Sequence, residues 1–217
     1  MKNGKTPDPN VVYPIAGYEK EIYVLKGKSM IETNRLILRQ FQEADAADIL
    51  EYLKTPAVNC FACMKLQSLD AAKQEIRKRA EDELYLAIIL KETSKVIGEI
   101  FAHPEGNDPE DETMDTFSPC WMLNLDYGGH GYAYEAAQAY FDYLFLEKGA
   151  RRIYAYTEDY NLRSQKLCER LGMRREGLFI EFVSFIDNPD GTPKYENTIQ
   201  YAILKKEWEG HCRVYEE

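Results

Sequence analysis

Leu123-Asn124-Leu125-Asp126-Tyr127-Gly128-Gly129-His130-Gly131-Tyr132-Ala133 passes from a strand-like segment through glycines into a helical pattern. The first amides of a helix have no intrahelical acceptor, and with the helix dipole they make a site for anions. Glycine lets the chain approach a phosphate without a Cβ in the way. A strand, a glycine loop and a helix in this order therefore form a physically sensible pyrophosphate cradle. The loop is not a Walker loop, because no Gly-Lys-Ser/Thr ends it, and it lacks the G-x-G-x-x-G spacing of dinucleotide folds. Alone it reads equally well as a tight structural turn.

Outward from the loop, the hydrophobic period switches regularly. Ala133, Ala136, Ala137, Tyr140, Phe141, Leu144 and Phe145 keep helical spacing, and Gly149 is the candidate stop. Arg152–Thr157 reads as a strand, Leu162–Leu171 as a short helix closed by Gly172, and Arg174–Ile186 and Thr198–Leu204 as two last strands. Upstream, Phe117–Leu125 is a strand, and Leu84–Leu90 with Val96–Ala102 reads as an antiparallel hairpin. Before these come a strand at Leu36–Arg39 and two helices, one on Ala46, Ile49, Leu50 and Leu53, the other capped by Ser68. The predicted order β-α-α-β-β-β-α-β-α-β-β is an α+β arrangement around a mixed sheet. Residues 1–29 read as an N-terminal extension with short strands near Val11–Tyr13 and Ile22–Leu25, and 30–217 as the folded domain. The stretch 103–115, with six acids and no Lys or Arg, reads as a solvated loop.

Composition narrows the classes. With 27 Lys and Arg against 37 Asp and Glu, the net charge of −10 argues against a nucleic-acid binder. It suits a cationic substrate, although simple solubility explains it as well. No apolar run reaches the ~20 residues of a membrane span, and the N-terminus lacks a signal-peptide core, so no membrane partner and a cytoplasmic location are expected. Five cysteines fit reduced thiols. Cys60 and Cys63 form a lone C-x-x-C with no second pair or His couple at metal spacing, so no metal is expected.

The order of motifs resembles the ribosomal-protein N-acetyltransferase branch of the GNAT superfamily. That resemblance rests on Thr33-Asn34-Arg35-Leu36-Ile37-Leu38-Arg39, Trp121-Met122-Leu123, and Gly129-His130-Gly131-Tyr132-Ala133-Tyr134-Glu135-Ala136. It continues through Asn161-Leu162-Arg163-Ser164, Leu171-Gly172-Met173, Glu176-Gly177 and a tail, Tyr201–Trp208, similar to the branch's last strand. It spans roughly residues 30–208. It implies a three-layer αβα GNAT fold whose mostly antiparallel sheet is split by an acetyl-CoA cleft. It implies further that Trp121, Met122 and Leu123 meet the pantetheine arm. The amides of Gly129, His130, Gly131, Tyr132 and Ala133 would hold the pyrophosphate, with Asn161 and Ser164 facing the cofactor from the next helix. His130 is expected to meet phosphate or solvent rather than act as a base.

The implied activity is acetyl transfer from acetyl-CoA to a primary amine, a small molecule or a protein N-terminus, by direct attack. An amine must lose a proton, the carbonyl must be polarised, and a thiolate must leave. No covalent enzyme intermediate is required. Many superfamily members carry a tyrosine acid where Cys168 stands, and a glutamate before the W-x-L strand has no counterpart here. Ser164 is then the candidate acid, and Glu99 or a water chain the candidate base; each residue has a structural alternative, Ser164 as a cofactor contact and Glu99 as a solvated side chain. By the same resemblance the acceptor pocket would come from Thr55–Gln67 and Asp187–Lys194. A non-catalytic acetyl-CoA sensor or partner module is the alternative reading. Homodimers are common among such proteins, and a homodimer is the corresponding expectation here.

Overall fold

The structure, a computed structural model, describes residues 13–14, 21–25, 28–106 and 114–213. Among these residues, ten strands form one sheet: β1 (Tyr13–Pro14), β2 (Glu21–Leu25), β3 (Lys28–Glu32), β4 (Leu36–Gln40), β5 (Leu86–Leu90), β6 (Lys95–Glu105), β7 (Thr116–Leu123), β8 (Arg152–Glu158), β9 (Arg174–Asp187) and β10 (Pro193–Leu204). Their spatial order is β1-β2-β3-β4-β5-β6-β7-β8-β10-β9. Every neighbouring pair is antiparallel except β7 and β8. Among the described residues, five α-helices complete the fold: α1 (Ala46–Leu53), α2 (Leu69–Arg79), α3 (Tyr132–Leu146), α4 (Leu162–Arg170) and α5 (Lys205–Arg213).

Alternation along the strands builds two cores, because successive side chains point to opposite faces of a sheet. Leu36, Leu38, Leu86, Ile88 and Leu90 pack with the α3 residues Ala136, Tyr140 and Leu144. Ala87 and Ile89, one register step away, pack with Ile49 and Leu53 of α1 and Ile76 of α2. The result is the expected three-layer αβα arrangement.

Local signals act where the sequence placed them. The Ala71 amide donates to the Ser68 hydroxyl at 3.1 Å, capping α2. Gly149 ends the α3 segment at φ 71, a conformation that favours glycine. β6 and β7 approach so closely that a Cβ on Gly98 would collide with the Met122 carbonyl oxygen.

Three expectations need amending. β6 runs to Glu105 rather than stopping at Ala102, and of the acidic stretch 103–115, residues 107–113 lie outside the described residues. The tail is not strand throughout: β10 ends at Leu204 and Lys205 opens α5. Trp208 explains the switch. It is 3 % exposed, lies against Phe141 and Phe145 of α3, and its indole N–H donates to Asp142 at 2.7 Å. Finally, the N-terminal strands continue the same sheet through β3 and β4, while Val11 and Val12 lie outside the described residues.

Candidate functional site

The parallel pair is where the sheet opens. β7 and β8 are paired only at Thr116–Arg152 and Phe117–Ile153, although the strands continue to Leu123 and Glu158. Beyond Phe117 the β7 edge is released from β8, and Pro119, which has no N–H for a ladder, stands in this released portion. A cleft of about 1110 Å³ fills the opening. Its walls come from β7, the glycine loop, α4, β8, β9 and the short 3-10 helix Asn59–Met64.

At one end of the cleft lies the loop. Gly129 and Gly131 have φ of 84° and 81°, and Gly131 is the N-cap of α3. An added Cβ at Gly129 would meet nothing within 4 Å, and at Gly131 only an Arg35 guanidinium nitrogen at 3.6 Å. Glycine is therefore required by backbone conformation, not by crowding. Among the described residues, no backbone carbonyl takes the amides of Gly129, His130 or Gly131.

The loop is held from across the fold. The Thr33 hydroxyl donates to Glu135 Oε1 at 2.6 Å and the Arg35 amide to the same oxygen at 2.9 Å. Arg35 Nε donates to Glu135 Oε2 at 2.7 Å, and its Nη1 to the His130 carbonyl at 3.0 Å. The guanidinium also lies over the Tyr132 ring, 4.6 Å from its centroid. Burial raises the Glu135 carboxyl pKa, but the Thr33 and Arg35 donors outweigh it and hold the group below its ordinary value.

Most of the expected residues come together here. Trp121, Met122, Leu123, Gly129, Gly131, Tyr132, Ala133, Asn161 and Ser164 all line the cleft. His130 does not; it is exposed and stacks on Tyr132, ring centroids 5.7 Å apart. Asn161 caps α4, its side-chain oxygen accepting from the Ser164 amide at 3.2 Å. Ser164 is half-buried at the cleft wall. Cys168, in the place of the expected tyrosine, is fully buried, and burial pushes its thiol up to about 12.

Glu99 is not brought to the cleft. Its carboxylate is fully buried and accepts from the Tyr52 hydroxyl at 2.8 Å, the Tyr85 hydroxyl at 2.9 Å and the Arg79 guanidinium. Burial first, and then the Glu99 charge, push the Tyr52 and Tyr85 phenols well above their ordinary range. A fully buried carboxylate held by three donors, and absent from the cleft wall, has no access to a substrate amine. The solvated alternative fails as well: Glu99 is a core ion-pair anchor.

The rest of the cleft was only partly signalled by the sequence. Of the two expected acceptor segments, Ala57, Val58, Cys60, Phe61, Cys63 and Met64 line it, but nothing between Asp187 and Lys194 does; Phe182, Val183 and Phe185 of β9 stand there instead. Glu158, the last residue of β8, is the cleft's acidic side chain and is 4 % exposed. The Cys60 thiol lies beside it, its pKa pushed up by burial first and then by Glu158, and Asn161 Nδ2 reaches it at 3.4 Å. Burial raises the Cys120 thiol to about 11, with a further push from the Glu158 charge. Among the described residues, no group of three or more His, Cys, Asp or Glu is arranged to hold a metal.

A family model described as an acetyltransferase (GNAT) domain matches residues 35–174. The chain belongs to the GNAT acetyltransferase family. Among curated proteins, it is 30 % identical over 179 residues to the uncharacterized N-acetyltransferase YnaD of Bacillus subtilis, covering 82 % of this chain and 98 % of that one. Among solved structures, the GNAT-family acetyltransferase of Bacillus anthracis superposes with a TM-score of 0.69 at 28 % identity, covering 82 % of this chain and 99 % of that one. The ribosomal-protein-S5-alanine acetyltransferase of Vibrio fischeri shares the fold at a TM-score of 0.63 and 19 % identity, with 82 % and 98 % coverage. The GNAT fold accounts for the split sheet: the expected mixed, mostly antiparallel sheet flanked by helices is the one observed. No helix among the described residues is long and apolar enough to cross a membrane.

Proposed function

We propose that this GNAT protein moves an acetyl group from acetyl-CoA to a primary amine by direct attack. The observation that carries the reading is the released β7 edge at Trp121–Leu123, leading to loop amides at the N-terminus of α3 that no backbone carbonyl takes among the described residues. An open strand edge can accept an extended arm as an added strand, and the loop suits a pyrophosphate. When bound, acetyl-CoA supplies a thioester carbonyl and a thiolate leaving group.

The residues of the chain then divide the work. The amides from Gly129 to Ala133 hold the phosphates, and Trp121, Met122 and Leu123 orient the arm. Asn161 fixes the first turn of α4 and so the position of Ser164, whose Oγ holds a proton for the leaving sulfur. Glu99 is given no proton transfer. Residues 30–217 form the catalytic unit, and β1 and β2 of the N-terminal extension lengthen its sheet at the β3 side. The motif order, and the fold shared with a ribosomal-protein acetyltransferase, favour a protein N-terminus or a small cationic amine as acceptor.

The test is thiol release from acetyl-CoA with pools of polyamines, aminoglycosides, amino acids and peptides with free α-amines. Amine-dependent release above the no-amine blank is the expected result. Release no faster than the blank, from protein that binds acetyl-CoA by calorimetry, overturns the catalytic reading in favour of the sensor.

A further inference from the structure

Glu158 is a buried carboxylate in want of a cation. It is 4 % exposed, yet among the described residues no Lys, Arg or His forms an ion pair with it. Its donors are weak or long: the Cys60 thiol, and Asn161 Nδ2 at 3.4 Å. By contrast, the fully buried Glu99 has a guanidinium partner and two phenols. Removing an ionised carboxylate from water is expensive unless a counter-charge replaces the lost hydration. At Glu99 the chain supplies that charge. At Glu158 it does not, and Glu158 lines the cleft.

Its surroundings narrow what would fit. Tyr156 lies two residues earlier on the same face of β8, and Phe182 faces it from β9 with ring centroids 5.7 Å apart; both line the cleft. Aromatic faces attract cations. Ser164, on α4, lines the same space. A carboxylate with aromatic neighbours suits an alkylammonium, and it repels an acceptor that carries its own carboxylate beside the amine.

We infer that Glu158 is the catalytic carboxylate that receives the acceptor's ammonium group and takes its proton. The inference rests on the proposed N-acetyltransferase reading and deepens it. An R–NH₃⁺ group gives one proton to a Glu158 oxygen, leaving R–NH₂ and a carboxylic acid. The freed nitrogen lone pair forms the C–N bond to the acetyl carbonyl carbon. The C–S bond breaks, and sulfur departs with its electron pair and is protonated from Ser164. The remaining extra proton on nitrogen passes to the Ser164 alkoxide, and Glu158 returns its own proton to solvent.

The experiment compares wild type with Glu158→Gln, which keeps volume and removes charge, using the best amine of the thiol-release pools. The expected result is a fall in kcat/KM for the amine of at least about 100-fold. Acetyl-CoA affinity by calorimetry should stay within about twofold and the melting temperature should not fall, because the variant removes an uncompensated buried charge. A kcat/KM within about threefold of wild type overturns the inference. So does a loss matched by weaker acetyl-CoA binding and a lower melting temperature, which marks a merely structural role. If wild type acetylates no amine, the N-acetyltransferase reading itself fails, and n-butylammonium binding then decides on Glu158. Wild type should bind that cation on the order of tenfold more tightly than Glu158→Gln, and equal binding removes the site.

Discussion

Arg35 and Glu135, a hundred residues apart in the chain, meet with Arg35 Nε 2.7 Å from Glu135 Oε2. The pair fastens β4's approach to the first turn of α3, and the same guanidinium holds the His130 carbonyl. It thereby fixes the loop from both sides. Arg35 is 46 % exposed in its side chain, so the pair contributes little to overall stability, about 1 kcal/mol or less. Its effect belongs to the cleft. Glu135→Gln should weaken acetyl-CoA binding about tenfold while shifting the melting temperature by only a few degrees, as read by calorimetry and thermal unfolding.

The same carboxylate predicts a pH dependence. Glu135 sits below its ordinary value in the folded chain, so its stabilising contribution is fully present above the unfolded pKa. That contribution is lost as pH falls through the depressed folded value. Acetyl-CoA affinity should therefore decline on acidification in wild type, with a shallower decline in Glu135→Gln over the same acid range. Parallel curves for the two proteins would remove Glu135 as the titrating group.

Gly131→Val tests the loop itself. Gly131 has φ 81°, and a branched residue there costs roughly 1–2 kcal/mol or more. The nearest atom to a new Cβ is the far end of Arg35, at 3.6 Å, so the fold should survive. Acetyl-CoA binding should fall below detection in calorimetry, with the circular dichroism spectrum retained. Unchanged affinity would place the donor away from this loop.

The Thr33–Arg39 and Gly129–Ala136 motifs were legible in the sequence as separate parts of one resemblance, and the contacts of Thr33 and Arg35 with Glu135 join them in the fold. Strand periods gave the sheet for a similar reason: Leu36, Leu38, Ala87 and Ile89 alternate faithfully between two cores. What stayed hidden depends on tertiary partners. Nothing local to Lys205–Trp208 says that the indole will find Asp142 and turn strand into helix. Glu99 and Glu158 both stand in strands rich in apolar residues, and only the fold gives Arg79 to one and leaves the other facing a cleft. The acceptor wall was half legible, since the 3-10 helix at Asn59–Met64 lies on an expected segment, whereas β9 contributes residues from mid-strand.

Ser164 and Asn161 should separate by readout. Ser164→Ala removes the Oγ proton without touching the cap, so kcat should fall at least about tenfold with acetyl-CoA affinity nearly unchanged. Asn161→Ala removes the 3.2 Å bond to the Ser164 amide and should cost about 1 kcal/mol of stability, with looser donor binding. Steady-state kinetics beside thermal unfolding distinguish the two, and a stability loss in Ser164→Ala equal to that of Asn161→Ala would make its role structural.

Glu99 offers the sharpest contrast between a structural and a catalytic carboxylate. Its partner Arg79 is 2 % exposed, stacks over Tyr85 at 4.9 Å from the ring centroid, and already has a second guanidinium nitrogen buried without a hydrogen-bond partner. Glu99→Ala would leave that guanidinium with only Glu75, at 3.1 Å, and two phenols without their acceptor. Removing one member of a buried pair costs about 3–5 kcal/mol, because the other charge remains desolvated. The variant should therefore unfold at markedly lower denaturant, while whatever protein remains folded keeps a kcat within about threefold of wild type. A fold of normal stability with kcat reduced 100-fold or more would return the proton transfer to Glu99.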